Sequence, residues 1–379
     1  MMEHKIPFNK PHLTGKEAHY LYQAVYSGHI SGNGLYTQKC QKYFEDRWGF
    51  KKTLLTTSCT DALEMCALLL NIKPEDELII PSYTFVSSAL AFVRQGANII
   101  FADSNDKNPN LDAHAIEEKI TPKTKAIVVV HYAGIACDMD EIMRIARKHK
   151  LFVVEDAAQG IDSYYKGKPL GTIGDLSTFS FHETKNLQCG EGGLLGINNE
   201  QFIERAEILW EKGTNRAQFF KGQVDKYNWV DIGSSFLPSD VIAAFLYAQL
   251  EHIDDIQDKR KAIWNKYHEG LKPLEAKGNI TLPFLPDFAT NNAHMFYLIT
   301  KNPAERTALI SYLKDHNIMS VFHYLSLHAS PFYKEKYKGA ELDNANYYTN
   351  CLVRLPLFYE LGLTDVDRII DLLINFYKD

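Results

Sequence analysis

The chain has 379 residues, of which 45% are hydrophobic and 23% are charged, and its formal net charge is −6. These values are typical of a globular protein, and they exclude a collagen-like chain, a disordered acidic tail and a small disulfide scaffold. There is no run of lysine or arginine to attract nucleic acid or an anionic membrane. The expected partners are therefore small molecules or a second copy of the chain.

The sequence predicts no membrane segment and no metal. Its longest purely apolar run is eight residues, Val241 to Ala248, whereas a spanning helix needs about 18. The N-terminal residues contain no apolar stretch of the signal-peptide type. The six cysteines form no C-x-x-C pair, which argues against a zinc site and a disulfide framework. We therefore expect a cytoplasmic protein with free thiols.

Short apolar runs alternate with helical patterns in the first half of the chain. A helix is predicted over 138–150, and the predicted strands are 77–80, 98–102, 126–130, 151–154 and 176–181. Apolar strands separated by helices predict an α/β fold with a mostly parallel central sheet, covered on both faces. Ligands of such sheets bind at the carboxyl ends of the strands.

The pattern changes beyond residue 250. The elements expected there are a charged helix over 251–271, a proline-containing linker over 279–287, strands at 295–300 and 319–324, and helices at 304–316 and 364–377. These elements predict a smaller α+β unit. We therefore divide the chain into a large domain at 1–250 and a small C-terminal domain at 251–379.

Three polar segments lie at the ends of predicted elements. Asp156 ends one strand, Lys185 follows the next, and Thr56 to Thr60 precede a strongly helical stretch. Taken singly, these are an ordinary helix cap, a surface lysine and a capped helix. The helix start also forms an anion site suited to phosphate. It lacks the glycines of a P-loop, and no G-x-G-x-x-G follows a strand, so nucleotide hydrolysis and dinucleotide binding are disfavoured.

Together the three segments match the needs of a phosphate-bearing pyridine aldehyde. Such a cofactor requires a lysine for a Schiff base, an acid beside its ring nitrogen and an anion cradle. An ionised Asp156 would keep that nitrogen protonated, since an opposite charge favours the charged form. Lys185 would then serve as the base that moves the substrate proton. Phe85, at the end of another strand, either stacks on the ring or packs in the core.

The sequence resembles the DegT/DnrJ/EryC/StrS family of sugar aminotransferases, which depend on pyridoxal 5'-phosphate and share the aspartate-aminotransferase fold (fold type I). The resemblance runs from about Ile6 to the C-terminus. The motifs that carry it are PSYTF at 81–85, EDAAQ at 155–159, SFHETKN at 180–186 and GEGG at 190–193.

This resemblance implies roles for particular residues. Lys185 would carry the cofactor, Asp156 would pair with its ring nitrogen, and Gln159 would contact its phenolic oxygen. The phosphate and ring contacts would be Ser58, Cys59, Thr60, Ser180 and Phe85. The residues expected to face the substrate are His182, Arg216, Tyr324 and His328, although a buried structural role for the histidines of the small domain stays open.

One loop departs from the family pattern. Members often have G-x-N-x-R in a loop that enters the neighbouring subunit's active site, whereas this chain has Gly233-Ser234-Ser235-Phe236-Leu237. Ser235 can still donate a hydrogen bond to phosphate, but Leu237 cannot replace a guanidinium. The resemblance nevertheless implies a homodimer or a dimer of dimers with active sites at the subunit interface.

Further segments indicate the substrate. GTNR at 213–216, QFF at 218–220, GQVDKY at 222–227 and AHMFY at 293–297 resemble the branch of the family that moves an amino group from L-glutamate to C4 of dTDP-4-keto-6-deoxy-D-glucose, giving the galacto product. The alternatives are the gluco epimer, a 3-amino sugar, a dehydratase or a non-catalytic regulator. Family dehydratases replace the Schiff-base lysine with histidine, and a regulator could lack Lys185 or Asp156.

Overall fold

The computed structural model describes residues 4–378. The strands are β1 (Lys52–Thr56), β2 (Glu77–Pro81), β3 (Asn98–Ala102), β4 (Thr124–Val130), β5 (Phe152–Asp156), β6 (Tyr164–Tyr165), β7 (Lys168–Pro169), β8 (Leu176–Ser180), β9 (Gly193–Ile197), β10 (Phe296–Ile299), β11 (Val321–Phe322) and β12 (Leu352–Leu355). The helices are α1 (Glu17–Tyr26), α2 (Leu35–Trp48), α3 (Cys59–Leu69), α4 (Ser87–Val93), α5 (Met139–His149), α6 (Ile203–Trp210), α7 (Arg216–Phe220), α8 (Asp240–Leu250), α9 (Ile253–Ala276), α10 (Pro303–Asp315), α11 (Asp343–Cys351) and α12 (Leu363–Phe376).

A seven-stranded sheet in the order β1-β9-β8-β5-β4-β2-β3 forms the centre of the fold. The pairs from β8 to β3 are parallel, and β9 runs antiparallel to both of its neighbours. Val130 pairs with Asp156, and Asp156 pairs with Thr178. The carboxyl ends of β4, β5 and β8 therefore meet at one edge, and the predicted α/β fold with a mostly parallel sheet is confirmed.

Both faces of this sheet are buried, which explains the continuous apolar strands. Along β4, Ala126 and Val128 pack with the apolar side of α3. The alternate residues Ile127 and Val129 pack with α5 on the opposite face. This alternation follows from the two-residue period of a strand, and it fixes α3 and α5 on opposite sides.

A second sheet, in the antiparallel order β10-β12-β11, belongs to the C-terminal part. Its core joins Ile263 of α9, Phe296, Leu313 and Ile369, and it includes Ile6 from the N-terminal segment. Ile6 pairs with Ile318, so the N-terminal segment is attached to the C-terminal part here. The first turn of α9 packs instead with α2, and the domain division at residue 250 stays a prediction.

Several predicted boundaries need correction. The strand expected over 319–324 is only Val321–Phe322, because Tyr324 adopts a left-handed φ of 43° and leaves the strand direction. The elements that were not predicted are strands β1, β6, β7, β9 and β12 and helices α1, α2, α4, α6, α7, α8 and α11. The GEGG segment is a turn, as its composition suggests, but its last glycine begins β9.

Strand β9 approaches the start of α3 so closely that only glycine fits. A Cβ atom on Gly193 would overlap the carbonyl carbon of Ser58 and the amide nitrogen of Cys59. Both neighbours are backbone atoms of a capped helix, and they cannot rotate away as a side chain would. The position of the α3 N-terminus therefore depends on Gly193.

We predict that Gly193→Ala lowers the free energy of unfolding by about 1–3 kcal/mol, because the added methyl overpacks this contact. Urea unfolding followed by circular dichroism measures the change. Gly362→Ala is the matched control, since Gly362 has an ordinary φ of −66° and the atom nearest to an added Cβ lies at 3.5 Å, an ordinary van der Waals distance. Equal losses in the two variants would contradict the steric argument.

Candidate active site

A cavity of about 640 Å³ lies at the carboxyl edge of the central sheet. Val130, Asp156 and Ser180, at the ends of β4, β5 and β8, contribute to its wall, as does Cys59 at the start of α3. The second sheet closes the other side with Arg354 of β12. The cavity therefore forms where an α/β sheet normally binds its ligand.

One wall of the cavity is suited to an anion. Ser58 caps α3, and its Oγ accepts a hydrogen bond from the Asp61 amide at 3.1 Å. The hydroxyls of Thr60 and Ser87 lie 2.8 Å apart, and Ser180 also lines the cavity. The first amides of a helix have no intrahelical acceptor and carry the positive end of the helix dipole. Hydroxyls and helix amides thus converge on this wall of the cavity.

Asp156 lies at the floor of the cavity and is 5% exposed. Burial raises the pKa of its carboxyl group, whereas hydrogen bonds to Ser88 and Ala158 and the charge of Lys185 lower it. Ser88 Oγ donates to Oδ2 at 2.6 Å, and the Ala158 amide donates to Oδ1 at 3.2 Å. The carboxylate is thus oriented but lacks a cation at hydrogen-bond distance, so its ionised form favours a positively charged ligand.

Lys185 is half-buried, and its side chain lines the same cavity. Burial lowers the pKa of its amine, and the charge of Arg354 lowers it further, while Cys59 and Asp156 act in the opposite direction. A lowered pKa increases the neutral, nucleophilic fraction near neutral pH. Lys185 and Asp156 therefore face one cavity.

Gln159, Tyr324 and Phe85 form the wall between the two sheets. Gln159 Oε1 accepts from the Ala133 amide at 2.6 Å, and its Nε2 donates to the Tyr324 hydroxyl at 3.0 Å. The rings of Phe85 and Tyr324 lie 6.1 Å apart. Phe85 is 55% exposed and lines the cavity, so the structure favours a ring that faces a ligand over a core residue.

The remaining predicted residues divide into two groups. His182 lines the cavity, and its Nδ1 lies 3.0 Å from Thr184 Oγ1. The structure does not bring His328 there, because the ring is buried with Nδ1 2.7 Å from Ser82 Oγ. Arg216 and Ser235 are also outside the cavity lining of the single chain. Arg216 forms an ion pair with Glu211 at 3.7 Å, and Ser235 is exposed.

The structure adds residues to the site: Ser88 and Arg354, which the sequence interpretation missed, and His294 and His323, which lie in segments that it singled out without assigning them a role. Ser88 holds Asp156, and His294, His323 and Arg354 line the cavity. Burial lowers the pKa of both histidines well below the ordinary value, so both are neutral near pH 7. His294 belongs to the AHMFY segment, which resembles the corresponding segment of family members. No local sequence pattern distinguished Arg354 from a surface arginine.

The comparisons with known proteins agree with this geometry. Residues 11–374 match the DegT/DnrJ/EryC1/StrS aminotransferase family. The chain belongs to this family. Its members are pyridoxal phosphate-dependent sugar aminotransferases, and this enzyme is therefore one of them.

Individual members of the family show how similar the chain is. It is 34% identical to the spore coat polysaccharide biosynthesis protein SpsC of Bacillus subtilis strain 168, over 99% of this chain and 98% of SpsC. It is 33% identical to the GDP-perosamine synthase of Escherichia coli O157:H7, over 99% of each. The solved PLP-form of Spr1654 from Streptococcus pneumoniae is 26% identical, covers 98% of each chain and has a TM-score of 0.89.

Pyridoxal phosphate fits the residues of the cavity. The α3 N-terminus and its hydroxyls suit the phosphate, Lys185 suits the aldehyde and Asp156 suits the ring nitrogen. When bound, the cofactor supplies an electron-withdrawing ring that stabilises negative charge on the substrate carbon. Within residues 4–378, no cluster of three or more His, Cys, Asp or Glu could hold a metal ion, and no helix is long and apolar enough to cross a membrane.

We predict that Lys185 in the cofactor-free enzyme reacts with acetic anhydride with a pH midpoint below the ordinary lysine value of about 10.4. Burial disfavours the ammonium form, so the neutral amine appears at lower pH. Peptide mass spectrometry between about pH 6 and 11 measures the labelling, with exposed Lys338 as a reference in the same digest. A midpoint at or above the ordinary value would contradict the electrostatics described above.

Proposed function

We propose that this enzyme transfers the amino group of L-glutamate to C4 of dTDP-4-keto-6-deoxy-D-glucose and forms dTDP-4-amino-4,6-dideoxy-D-galactose. The observation that carries the amino transfer is the placement of Lys185 and Asp156 in one cavity. Similarity to a GDP-perosamine synthase supports a nucleotide-linked sugar. The segments at 213–227 and 293–297 support C4 amination and the galacto product.

In this proposal, Lys185 moves the proton at both substrates. As a neutral amine it takes the proton from Cα of glutamate, and it later delivers a proton to C4 of the sugar. Asp156 keeps the ring nitrogen protonated, Gln159 contacts the phenolic oxygen and Phe85 stacks on the ring. The proposed phosphate contacts are Ser58, Cys59, Thr60 and Ser180.

The environment of Arg354 supports L-glutamate, an acidic amino acid, as the amino donor. None of the described carboxylates forms an ion pair with it, and its Nε has no hydrogen-bond partner. Its guanidinium carbon lies 4.6 Å from the centre of the Phe8 ring. A largely buried cation that faces the cavity is stabilised by an anionic ligand, and a carboxylate of glutamate supplies that charge. His182 and Tyr324 remain available for the sugar.

A partner subunit completes the proposed site. The segment from Gly213 to Ser235 exposes large apolar side chains, including Phe220 at 70%, Trp229 at 82% and Ile232 at 54%. Exposed apolar clusters mark interaction surfaces, and symmetric association of identical chains is the commonest way to cover them. We propose that a homodimer, or a dimer of dimers, brings Arg216 and Ser235 of this segment to the partner's cavity.

The proposed product belongs to surface polysaccharide synthesis, such as that of enterobacterial common antigen. Similarity to a spore coat polysaccharide biosynthesis protein supports this role. The six cysteines are all unpaired, which favours a reducing compartment. We therefore place the reaction in the cytoplasm. A dehydratase of the same fold is disfavoured, because Lys185 is present where such enzymes have histidine.

We predict that the enzyme, mixed with L-glutamate and dTDP-4-keto-6-deoxy-D-glucose, forms the galacto 4-amino sugar nucleotide. NMR of the purified product gives the aminated carbon and its configuration from the ring coupling constants. Lys185→Ala is the matched control, and it should form no product and retain the wild-type circular dichroism spectrum. An amino group at C3, a gluco configuration or loss of an oxygen without amination would contradict the proposal.

A further inference from the structure

The residue that follows Lys185 is tied to the C-terminal part of the chain. Asn186 is 4% exposed. Its Nδ2 donates to Gln257 Oε1 and to the carbonyl oxygen of Asn292, both at 2.8 Å. Its Oδ1 lies 2.9 Å from Nδ1 of His294. Three bonds thus hold the side chain adjacent to Lys185, and all of them lead away from the central sheet.

These hydrogen bonds determine which ring nitrogen of His294 carries the hydrogen. The nitrogen of the Asn186 amide already faces two oxygen acceptors, so its oxygen faces the ring. Nδ1 of His294 therefore donates, and Nε2 carries the lone pair. The pKa of His294 lies far below the ordinary value because of burial and the charges of Lys185, Arg260 and Arg354. The neutral ring thus donates its Nδ1 hydrogen to Asn186.

The same segment also holds the loop after β5. Asn292 Nδ2 donates to the carbonyl oxygens of Gln159 at 2.8 Å and of Ile161 at 2.7 Å. A Cβ atom on Gly134 would overlap the side-chain amide of Asn292, so the backbone of Gly134 also lies close to Asn292. The residues Asn292, Ala293 and His294, which we call the 292–294 segment, therefore contact the loops that carry both Lys185 and Gln159.

The 292–294 segment is itself rigidly held. Arg260 of α9 donates from Nε to the carbonyl oxygen of Ala293 at 3.1 Å and from Nη2 to that of His294 at 2.7 Å. Ala293 is fully buried and has a left-handed φ of 52°, a conformation that persists only when surrounding contacts impose it. Strand β10 begins at Phe296, two residues after His294. The segment is therefore a fixed extension of the second sheet.

We propose that the Asn186–His294 hydrogen bond is a positioning contact through which the 292–294 segment sets the direction of the Lys185 side chain. The inference rests on the proposed function, in which Lys185 moves the proton. His294 acts through Asn186 and needs no contact of its own with the reacting atoms. A displacement of about 1 Å at such a group can lower a rate about 100-fold, so this contact matters more for turnover than for binding.

Two variants of His294 separate positioning from other roles. Leucine leaves Asn186 Oδ1 without a donor, whereas glutamine can restore one through its side-chain amide. We expect His294→Leu to lower the rate constant of the first half-reaction at saturating L-glutamate by about tenfold or more. The dissociation constants of glutamate and dTDP should change less than about threefold. His294→Gln should recover most of the lost rate.

The cofactor-free enzyme gives a readout that does not involve activity. If the bond to Asn186 is lost, the loop of Lys185 opens and the amine gains water. Its pKa then rises toward the ordinary value, and the acetic anhydride midpoint of Lys185 moves up in His294→Leu but not in His294→Gln. This measurement tests the inference even if the wild-type enzyme does not accept glutamate. Failure to accept glutamate would overturn only the proposed amino donor.

Two further variants complete the test. Asn110→Leu is the control for lost stability, because Asn110 is also buried and bonded to Ile135 and Tyr132 backbone atoms; it should keep the wild-type rate constant. If His294→Leu fails to fold, Gln257→Leu removes another Asn186 partner outside the cavity and should shift rate and midpoint in the same direction. A wild-type rate and midpoint in His294→Leu, or in Gln257→Leu where it takes its place, would overturn the proposal, as would equal losses in His294→Leu and His294→Gln.

Discussion

The buried carboxylate of Asp156 is the group on which the proposed chemistry of this enzyme depends. Removing a carboxylate from water favours its neutral form, and burial raises the pKa of Asp156 accordingly. Hydrogen bonds from Ser88 and the Ala158 amide oppose this effect. In the proposed function, a protonated pyridine ring supplies the cation that the protein itself does not place there. Acid and cofactor would then stabilise each other's charged forms.

The fold places the other groups relative to this carboxylate. Register between parallel strands puts the end of β8 beside the end of β5, so the loop with Lys185 follows directly. Gly193 lets β9 contact the start of α3, which brings the anion-binding amides to the same edge. The second sheet adds Arg354 and the 292–294 segment. Different elements of the fold thus bring these groups to one cavity.

The sequence predicts the parts of this site that depend on local patterns. Strand ends identify Asp156 and Lys185, and helix capping identifies Ser58 to Thr60. Contacts between distant residues leave no such local pattern, which is why Ser88, 68 positions from Asp156, was missed. Arg354 looks like any polar residue of a short strand until the tertiary fold buries it. His328 shows the reverse case. The resemblance to the family indicated a contact with the substrate, but the ring is buried beside Ser82 and does not line the cavity.

The protonation state of the cofactor ring nitrogen tests this account most directly. Pyridoxal phosphate labelled with ¹⁵N in the ring can be bound to the wild-type enzyme and to Asp156→Asn, and the nitrogen chemical shift recorded near pH 7.5. An ionised Asp156 should hold the nitrogen protonated in the wild-type enzyme, and the neutral amide should leave it unprotonated. The same shift in both proteins, or an unprotonated nitrogen in the wild-type enzyme, would contradict the central role of Asp156.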